Sequence, residues 1–337
     1  MLILGIETSC DETSVAILEH RGQNNLEIRA NLIASQIEAH QLFGGVVPEI
    51  ASRKHLEILN PLLETLWSEA KIAPRELDLS GVTSGPGLSG ALLVGVAAGK
   101  ALGYALQKPV RAVNHVEGHL VSTFLAHPDL ELPMLALVVS GGHTDLILMR
   151  DFGAFERLGR TRDDAAGEAF DKVARALGLE IPGGPNLETL ARQGNERAFH
   201  FGRSNLEPSF DFSYSGLKTA ASQAFKKAPE QVADIAASFQ RAAIAQLRHQ
   251  VARALDEFSP ATFGLCGGVA ANGALRASLN QICAEKGVAF AVPPPILCTD
   301  NAAMIGAAAF FRARSEGFPA FDLAQLDFEA RSVWPVG

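Results

Sequence analysis

Residues 2–18 divide into two apolar runs around a polar turn: Leu-Ile-Leu-Gly-Ile-Glu-Thr, Ser-Cys-Asp-Glu-Thr, then Ser-Val-Ala-Ile-Leu. Short apolar runs bounded by turn residues predict a strand–turn–strand hairpin. The pattern returns at 135–149 as Leu-Ala-Leu-Val-Val, Ser-Gly-Gly-His-Thr, Asp-Leu-Ile-Leu-Met. Two such hairpins about 130 residues apart predict an internal duplication. A third unit, Thr262 to Ala277, reads as strand, Gly-rich turn and helix. Between these lie helical spacings. Leu56, Leu59, Leu63 and Leu66 recur every three or four residues, with Pro61 expected to kink their helix. Val232, Ile235, Phe239, Ala243, Leu247, Val251 and Leu255 mark a longer amphipathic helix. Leu88 to Leu106, apolar apart from Lys100 and rich in glycine, reads as a buried helix. Strands alternating with helices predict an α/β protein. His-Pro-Asp and Leu-Pro around Leu130–Pro133 make a linker. The expected domains are 1–130 with a helical return over about 301–330, and 131–300.

Composition narrows the class. The 337 residues are 47% hydrophobic, enough for two globular domains. No apolar stretch runs uninterrupted for about 18 residues, and no basic region precedes an apolar one at the N-terminus, so neither a membrane span nor a secretory signal is expected. The four cysteines, Cys10, Cys266, Cys283 and Cys298, have no C-x-x-C spacing and read as reduced thiols of a cytoplasmic protein. A net charge of −8 opposes non-specific nucleic-acid binding. A nucleic-acid partner would need a local basic patch or a second subunit. Arg241, Arg248 and Lys226–Lys227 are candidates for phosphate contacts, against the plainer reading of solvated surface charge.

Candidate chemistry centres on Asn114-His115-Val116-Glu117-Gly118-His119-Leu120. Histidines four apart share one helix face and can meet one metal ion. A zincin peptidase needs glutamate directly after the first histidine, whereas Glu117 falls about 200° round the helix from His115. Two ligands are too few for a firm site. Asp300, in Cys298-Thr-Asp-Asn301, is the best third, and two histidines with one carboxylate suit Fe(II) or Zn(II). Gly118 weakens the helix by about 1 kcal/mol relative to alanine, which points to close packing or a ligand alongside. The turns at 8–13 and 140–144 offer hydroxyls, amides and glycine backbone to phosphate oxygens, and Asp11 and Glu12 can position a metal or water. Gly267–Gly268 and Asn272 open a helix after a strand, a place suited to a ribose or an anion. Asp164, Glu168 and Asp171 fall on one helix face, and Ile181-Pro-Gly-Gly-Pro185 reads as a rigid loop. Gly95-x-x-x-Gly99-Lys100-Ala101 is one residue short of a P-loop and lacks its hydroxyl, and Ser84–Gly90 reads as structural.

Together these motifs closely resemble the TsaD/Gcp family of tRNA threonylcarbamoyladenosine synthesis. The carriers are Gly5-Ile-Glu-Thr-Ser-Cys-Asp-Glu-Thr13, Gly44-Gly-Val-Val-Pro-Glu49, Ala51-Ser-Arg53, Gly85-Pro-Gly-Leu88, His115-Val-Glu-Gly-His119, Val139-Ser-Gly-Gly-His-Thr144, Asp163-Asp-Ala-Ala-Gly-Glu-Ala-Phe-Asp-Lys172, Tyr214-Ser-Gly-Leu-Lys218 and Cys298-Thr-Asp-Asn301. The resemblance implies an actin/Hsp70/sugar-kinase-like (ASKHA) fold, two duplicated RNase H-like domains around a nucleotide cleft. It implies one divalent metal on His115, His119 and Asp300, Fe(II) before Zn(II), with ATP/Mg2+ or an adenylate nearby. Val138, Val139, Ser140, Gly141, Gly142, Asp171, Gly184, Glu188 and Asn272 would line the substrate pocket, and Asp11 and Glu12 would act near the phosphates and in catalysis. Ala270 stands where the family usually has serine, and Glu188 where many relatives have aspartate. The implied reaction moves threonylcarbamoyl from threonylcarbamoyl-AMP to N6 of the adenosine beside the anticodon in tRNAs reading A-starting codons. The implied partners are tRNA, a TsaB-like paralogue, a TsaE-like ATPase and a separate synthase of the adenylate, and a homodimer is compatible with this set. The rival readings are a metal-dependent glycoprotein endopeptidase, a small-molecule O-carbamoyltransferase, and a non-catalytic scaffold.

Overall fold

The computed structural model describes residues 1–180 and 182–336 and contains two units, 1–130 with 152–154 and 299–337, and 131–151 with 155–298. In the first unit the strands are β1 (Leu2–Glu7), β2 (Glu12–Gly22), β3 (Asn25–Ser35), β4 (Leu79–Gly85) and β5 (Val110–Asn114). Their helices are α1 (Ile37–Gln41), α2 (Pro48–Ala70), α3 (Ser89–Leu106) and α4 (His115–Ala126). In the second unit the strands are β6 (Met134–Val139), β7 (Thr144–Asp151), β8 (Ala154–Arg160), β9 (Thr262–Cys266) and β10 (Ala289–Ala291). Helices α5 (Ala166–Ala176), α6 (Gly183–Ala191), α7 (Ser215–Lys227), α8 (Val232–Phe258), α9 (Gly273–Lys286) and α10 (Pro295–Cys298) accompany them, and α11 (Ala302–Glu316) returns to the first unit.

The sheet orders are β3-β2-β1-β4-β5 and, read from the equivalent edge, β8-β7-β6-β9-β10. In each, the strands of the opening hairpin pair antiparallel, and the later strands pair parallel to its first strand. The repeated hairpin signature therefore marks a repeated five-stranded topology. Parallel pairs need crossover helices that cover the sheet faces, so β6 is an unbroken apolar run, β1 is apolar up to Glu7, and β4 is buried throughout although it carries Ser80, Thr83 and Ser84. In the second unit the β6 side chains Leu135, Leu137 and Val139 enter one core with Phe170, Phe239, Leu247 and Phe263.

Several helix expectations change in detail. The α2 helix runs through Pro61, but its buried stripe is Ala51, His55, Leu59, Leu63, Leu66 and Ala70, and Leu56 is exposed. Its face is set by steps of four from Ala51, and Leu56 falls one residue off that line. The α3 helix is not buried all round: Ala91, Leu92, Gly95, Val96, Gly99 and Gly103 are buried, whereas Leu93 and Tyr104 are exposed. A Cβ at Gly99 would sit 3.2 Å from Val82 of β4, so small residues let this helix approach the sheet. By length and hydropathy α3 would suffice for a membrane span, but a third of it is buried within its unit. The Gly95–Lys100 run lies within this helix, where no phosphate loop can form. Gly183-Gly184-Pro185 opens α6 with Pro182 as N-cap, so that segment is a helix start and not a free loop, and Ile181 lies outside the described residues.

The Asp145 carboxyl, buried in β7, makes stability depend on pH. Burial pushes it up to about 6, against weaker opposing pulls from Arg157 and Arg160. Its folded pKa lies above the unfolded value, so ionisation costs stability above pH 6, and stability returns as the pH falls from 6 towards 4. Relative to Asp145→Asn, the natural chain should gain roughly 3 kcal/mol across that window, read from urea midpoints at successive pH values. Parallel pH profiles for the two chains would contradict this.

Candidate functional site

In the first unit, β5 ends at Asn114, whose Oδ1 accepts from the Val116 amide at 2.9 Å and the Glu117 amide at 3.4 Å. This side-chain cap satisfies two of the orphan amides at the start of a helix and begins α4 directly at His115. His115 and His119 then stack one turn apart, with ring centroids 4.7 Å apart and nearly perpendicular planes. The α11 helix brings the third group. The Asn301 side chain caps it at Met304, and the Ala302 amide donates to Ser14 Oγ of β2 at 2.8 Å. Asp300, just before that cap, puts Oδ1 3.2 Å from His119 Nε2 and 3.5 Å from His115 Nε2. One donor atom from each of the three residues lies within 4.8 Å of the others.

The donor set fits a metal ion. Both ring nitrogens of His119 are buried and, among the described residues, have no hydrogen-bond partner. The Nε2 contact with Asp300 has the separation of a hydrogen bond without its alignment. A buried polar nitrogen without a partner is costly, and a cation offers one to Nε2. Burial would lower the His115 pKa, but the Asp300 and Glu7 carboxylates outweigh it and hold it well above the ordinary value. Asp300 is likewise pushed up by burial but held well below the carboxylate range by His115 and then His119. The negative field that retains a proton here would equally retain a divalent cation.

Glu7, the last residue of β1, is a contact of the candidate site that the motif reading missed. It is fully buried, and its Oε2 accepts from Thr83 Oγ1 at 2.7 Å and lies 2.9 Å from His115 Nδ1. Its Oε1 accepts from the Ser9 amide, and Ser9 Oγ lies 3.2 Å from His115 Nδ1. Burial raises the Glu7 pKa, but the His115 charge and hydrogen bond, with Thr83, lower it on balance. A proton held on Nδ1 leaves the Nε2 lone pair for a metal. The available signal was a carboxylate closing an apolar strand that is otherwise buried.

Glu117 faces elsewhere. It bonds Arg312 of α11 through Nη2 at 2.9 Å and Nε at 3.2 Å, an ion pair within the packing of α4 on α11. Gly118 lies in the same contact: a Cβ there would come within 2.9 Å of Ile305. The turn hydroxyls at 8–13 are also engaged. Thr8 donates to the Ala91 carbonyl, Thr13 pairs with the buried His55 at 2.7 Å, and Ser9 meets His115. Asp11 remains half-buried in the turn. The Glu12 carboxyl is pushed up to about 9 by burial and then by the Asp300 and Asp11 charges.

In the second unit, the Val138 and Val139 side chains are fully buried in β6 and face no open surface. The Ser140 amide donates to the His143 carbonyl, and the Gly142 amide donates to Ser140 Oγ. Of the Ser140, Gly141 and Gly142 amides that the turn could offer to a phosphate, those of Ser140 and Gly142 are therefore used inside the turn, because a tight hairpin satisfies its own backbone first. Gly141 and Gly142 are exposed with open space beside them. The Gly167 amide at the start of α5 donates to the Ser140 carbonyl, and one turn on Asp171 accepts from the Gly184 amide at 3.1 Å. Glu188 accepts from the Gly273 amide at 3.1 Å and pairs with Arg192 at 2.8 Å. Asn272 caps α9 at Leu275 and donates to Gln240. The N-terminal amides of α5, α6 and α9 are thus met by the Ser140 carbonyl and by the Asp171 and Glu188 carboxylates, negative groups at the positive ends of helices. Asp164 is taken up by Lys172 and Lys218, and Glu168 by Lys172.

Residues 27–307 match the family model described as TsaD, tRNA N6-adenosine threonylcarbamoyltransferase. The chain is 49% identical to proteins of that description from Clostridium botulinum, over 92% of both chains, and from Symbiobacterium thermophilum, over 92% of this chain and 91% of the relative. Among solved structures, full-length HypF in its phosphate- and nucleotide-bound form superposes with a TM-score of 0.62 at 13% identity, over 95% of this chain and 56% of HypF. The ROK hexokinase of Thermus thermophilus gives 0.53 at 14% identity, over 94% and 100%. At such identity these two show the fold alone, which is the ASKHA type that the family resemblance implied. The chain belongs to the TsaD family of tRNA N6-adenosine threonylcarbamoyltransferases.

Proposed function

We propose that this chain transfers the threonylcarbamoyl group of threonylcarbamoyl-AMP to N6 of the adenosine beside the anticodon in tRNAs reading A-starting codons. The observation that carries the reading is the His115–His119–Asp300 donor set, its two histidines buried, in a chain of this family. The reaction is acyl transfer from a mixed anhydride to a weakly nucleophilic aromatic amine, so the amine must be oriented and the AMP charge stabilised. A divalent metal on the three donors, Fe(II) before Zn(II), would supply Lewis-acid stabilisation of phosphate charge. Glu7 and Ser9 hold His115 so that Nε2 faces that position. Gly141, with its open backbone, and the linked turns carrying Asp171, Gly184, Glu188 and Asn272 are the adenylate-binding elements, and ATP/Mg2+ would use the same ones. Asp11 or Glu12 takes the proton of the attacking amine.

The partners in this proposal are tRNA, a TsaB-like paralogue, a TsaE-like ATPase and a separate synthase of the adenylate, with a homodimer compatible, in the cytoplasm. Arg248 is spent on the Ser278 carbonyl and Glu285, and Arg241 on the Glu196 carbonyl. Exposed Lys226 and Lys227, at the end of α7, are therefore the better phosphate contacts. A strain depleted of its own enzyme and supplied with this chain should recover threonylcarbamoyladenosine in its tRNA nucleosides by mass spectrometry. Failure to recover it with soluble, metal-loaded chain present would overturn the proposal.

A further inference from the structure

Residues 331–334 cross the loop that follows β4. The Arg331 amide donates to the Ser84 carbonyl at 2.6 Å, and the Gly87 amide donates to the Ser332 carbonyl at 3.3 Å. Asn114 Nδ2 donates to the Trp334 carbonyl at 2.9 Å. The contact is backbone against backbone: a Cβ on Gly85, itself at φ +150°, would lie 2.0 Å from the Arg331 carbonyl oxygen. The Arg331 guanidinium folds over the Trp334 ring at 5.1 Å. Arg331, Ser332 and Val333 are nonetheless exposed. A segment held by its main chain while its side chains face solvent adds little to a core, so its contribution lies in what it holds.

Both routes from this segment end at His115. Asn114, which bonds Trp334 through Nδ2, caps α4 through Oδ1 and so fixes the turn on which His115 stands. On the other side of the loop, the Leu88 amide donates to the Ser9 carbonyl at 2.8 Å, and Ser9 Oγ lies 3.2 Å from His115 Nδ1. We propose that residues 331–334 form a positioning strap that holds the first turn of α4 and aims His115 at its metal. The inference rests on the metal reading above. It also assigns a purpose to Ser84–Gly87: Gly85 and Gly87 admit the strap on one side and Ser9 on the other, since a Cβ on Gly87 would come within 2.6 Å of the Ser9 carbonyl oxygen.

Two variants separate strap from cap. Asn114→Asp keeps Oδ1 as the cap but replaces the donor with an oxygen facing the Trp334 carbonyl, and a chain ending after Ala330 removes the strap outright. Each is stripped of metal, titrated with Co2+ by visible absorption, and followed by hydrogen exchange of the metal-free α4 peptide. The expected result is Co2+ affinity lower by about 10- to 100-fold in both, the scale of lost outer contacts to a ligand, with faster exchange over residues 115–120 and an unchanged circular-dichroism spectrum. Natural Co2+ affinity and exchange in both folded variants would overturn the strap. If the natural chain itself binds no Co2+, the metal reading fails instead, and exchange alone decides: faster exchange in both variants keeps the strap as the support of α4, and unchanged exchange removes it.

Discussion

His119→Ala should abolish metal binding and threonylcarbamoyl transfer while leaving the fold nearly as stable as before. Neither ring nitrogen of His119 has an aligned hydrogen-bond partner among the described residues, so removing the ring costs the protein only its contact with Asp300, which keeps His115. It leaves a small cavity and relieves a buried polar cost, two effects of opposite sign and similar size. Affinity should fall by more than about 100-fold, because a metal ligand contributes more than the outer contacts that orient it. Transfer should fall by about 1,000-fold, the equivalent of roughly 4 kcal/mol of lost charge stabilisation. His115→Ala should lose the same functions but unfold more easily, since it leaves the Glu7 carboxylate buried without its imidazole. Metal analysis, transfer assays and thermal melts on the two variants check this. Equal melts with retained metal would contradict it.

Glu7→Ala should destabilise the chain by about 3–5 kcal/mol, the cost of breaking a buried, hydrogen-bonded charge pair. One carboxylate serves His115, the Thr83 hydroxyl and the Ser9 amide, and all three are buried with it. Glu7→Gln separates orientation from stability. It retains the shape and an acceptor for Ser9 but loses the charge that favours a proton on His115 Nδ1. The folded Gln variant should bind Zn2+ or Co2+ about 10- to 100-fold more weakly, with little change in its affinity for tRNA. Competition titration against a chelator measures the first and filter binding the second. A Gln variant with natural metal affinity would show that Glu7 only fills space.

Much of this was legible in the chain because it is local. The paired hairpins carry their own turn residues, so the duplicated topology follows from short-range pattern. The His115–His119 step is helix geometry, and Asp300 follows from the need for a third ligand, read from the Cys298-Thr-Asp-Asn301 run. What stayed hidden depends on distant partners. Glu7 and His115 are separated by 108 residues, and Asn114 and Trp334 by 220, and no periodicity reports either contact. Glu117 was readable as misplaced for a peptidase base, but its actual partner, Arg312 of another helix, was not. The phosphate turn was overread: glycines advertise open backbone, yet which amides the hairpin keeps for itself depends on its closed geometry. The largely apolar α3 was overread in the same way, because hydropathy says nothing about which face meets a sheet.

The most direct test of the account is single-turnover transfer with purified components. The chain, stripped of metal and then reloaded with Fe2+ or Zn2+, is mixed with its TsaB-like and TsaE-like partners, threonylcarbamoyl-AMP and tRNA, and modified adenosine is counted by mass spectrometry. The account predicts that transfer by the natural chain disappears on stripping and returns on reloading, while His119→Ala stays inactive in both states. Full transfer by the stripped chain, or by His119→Ala, would contradict it.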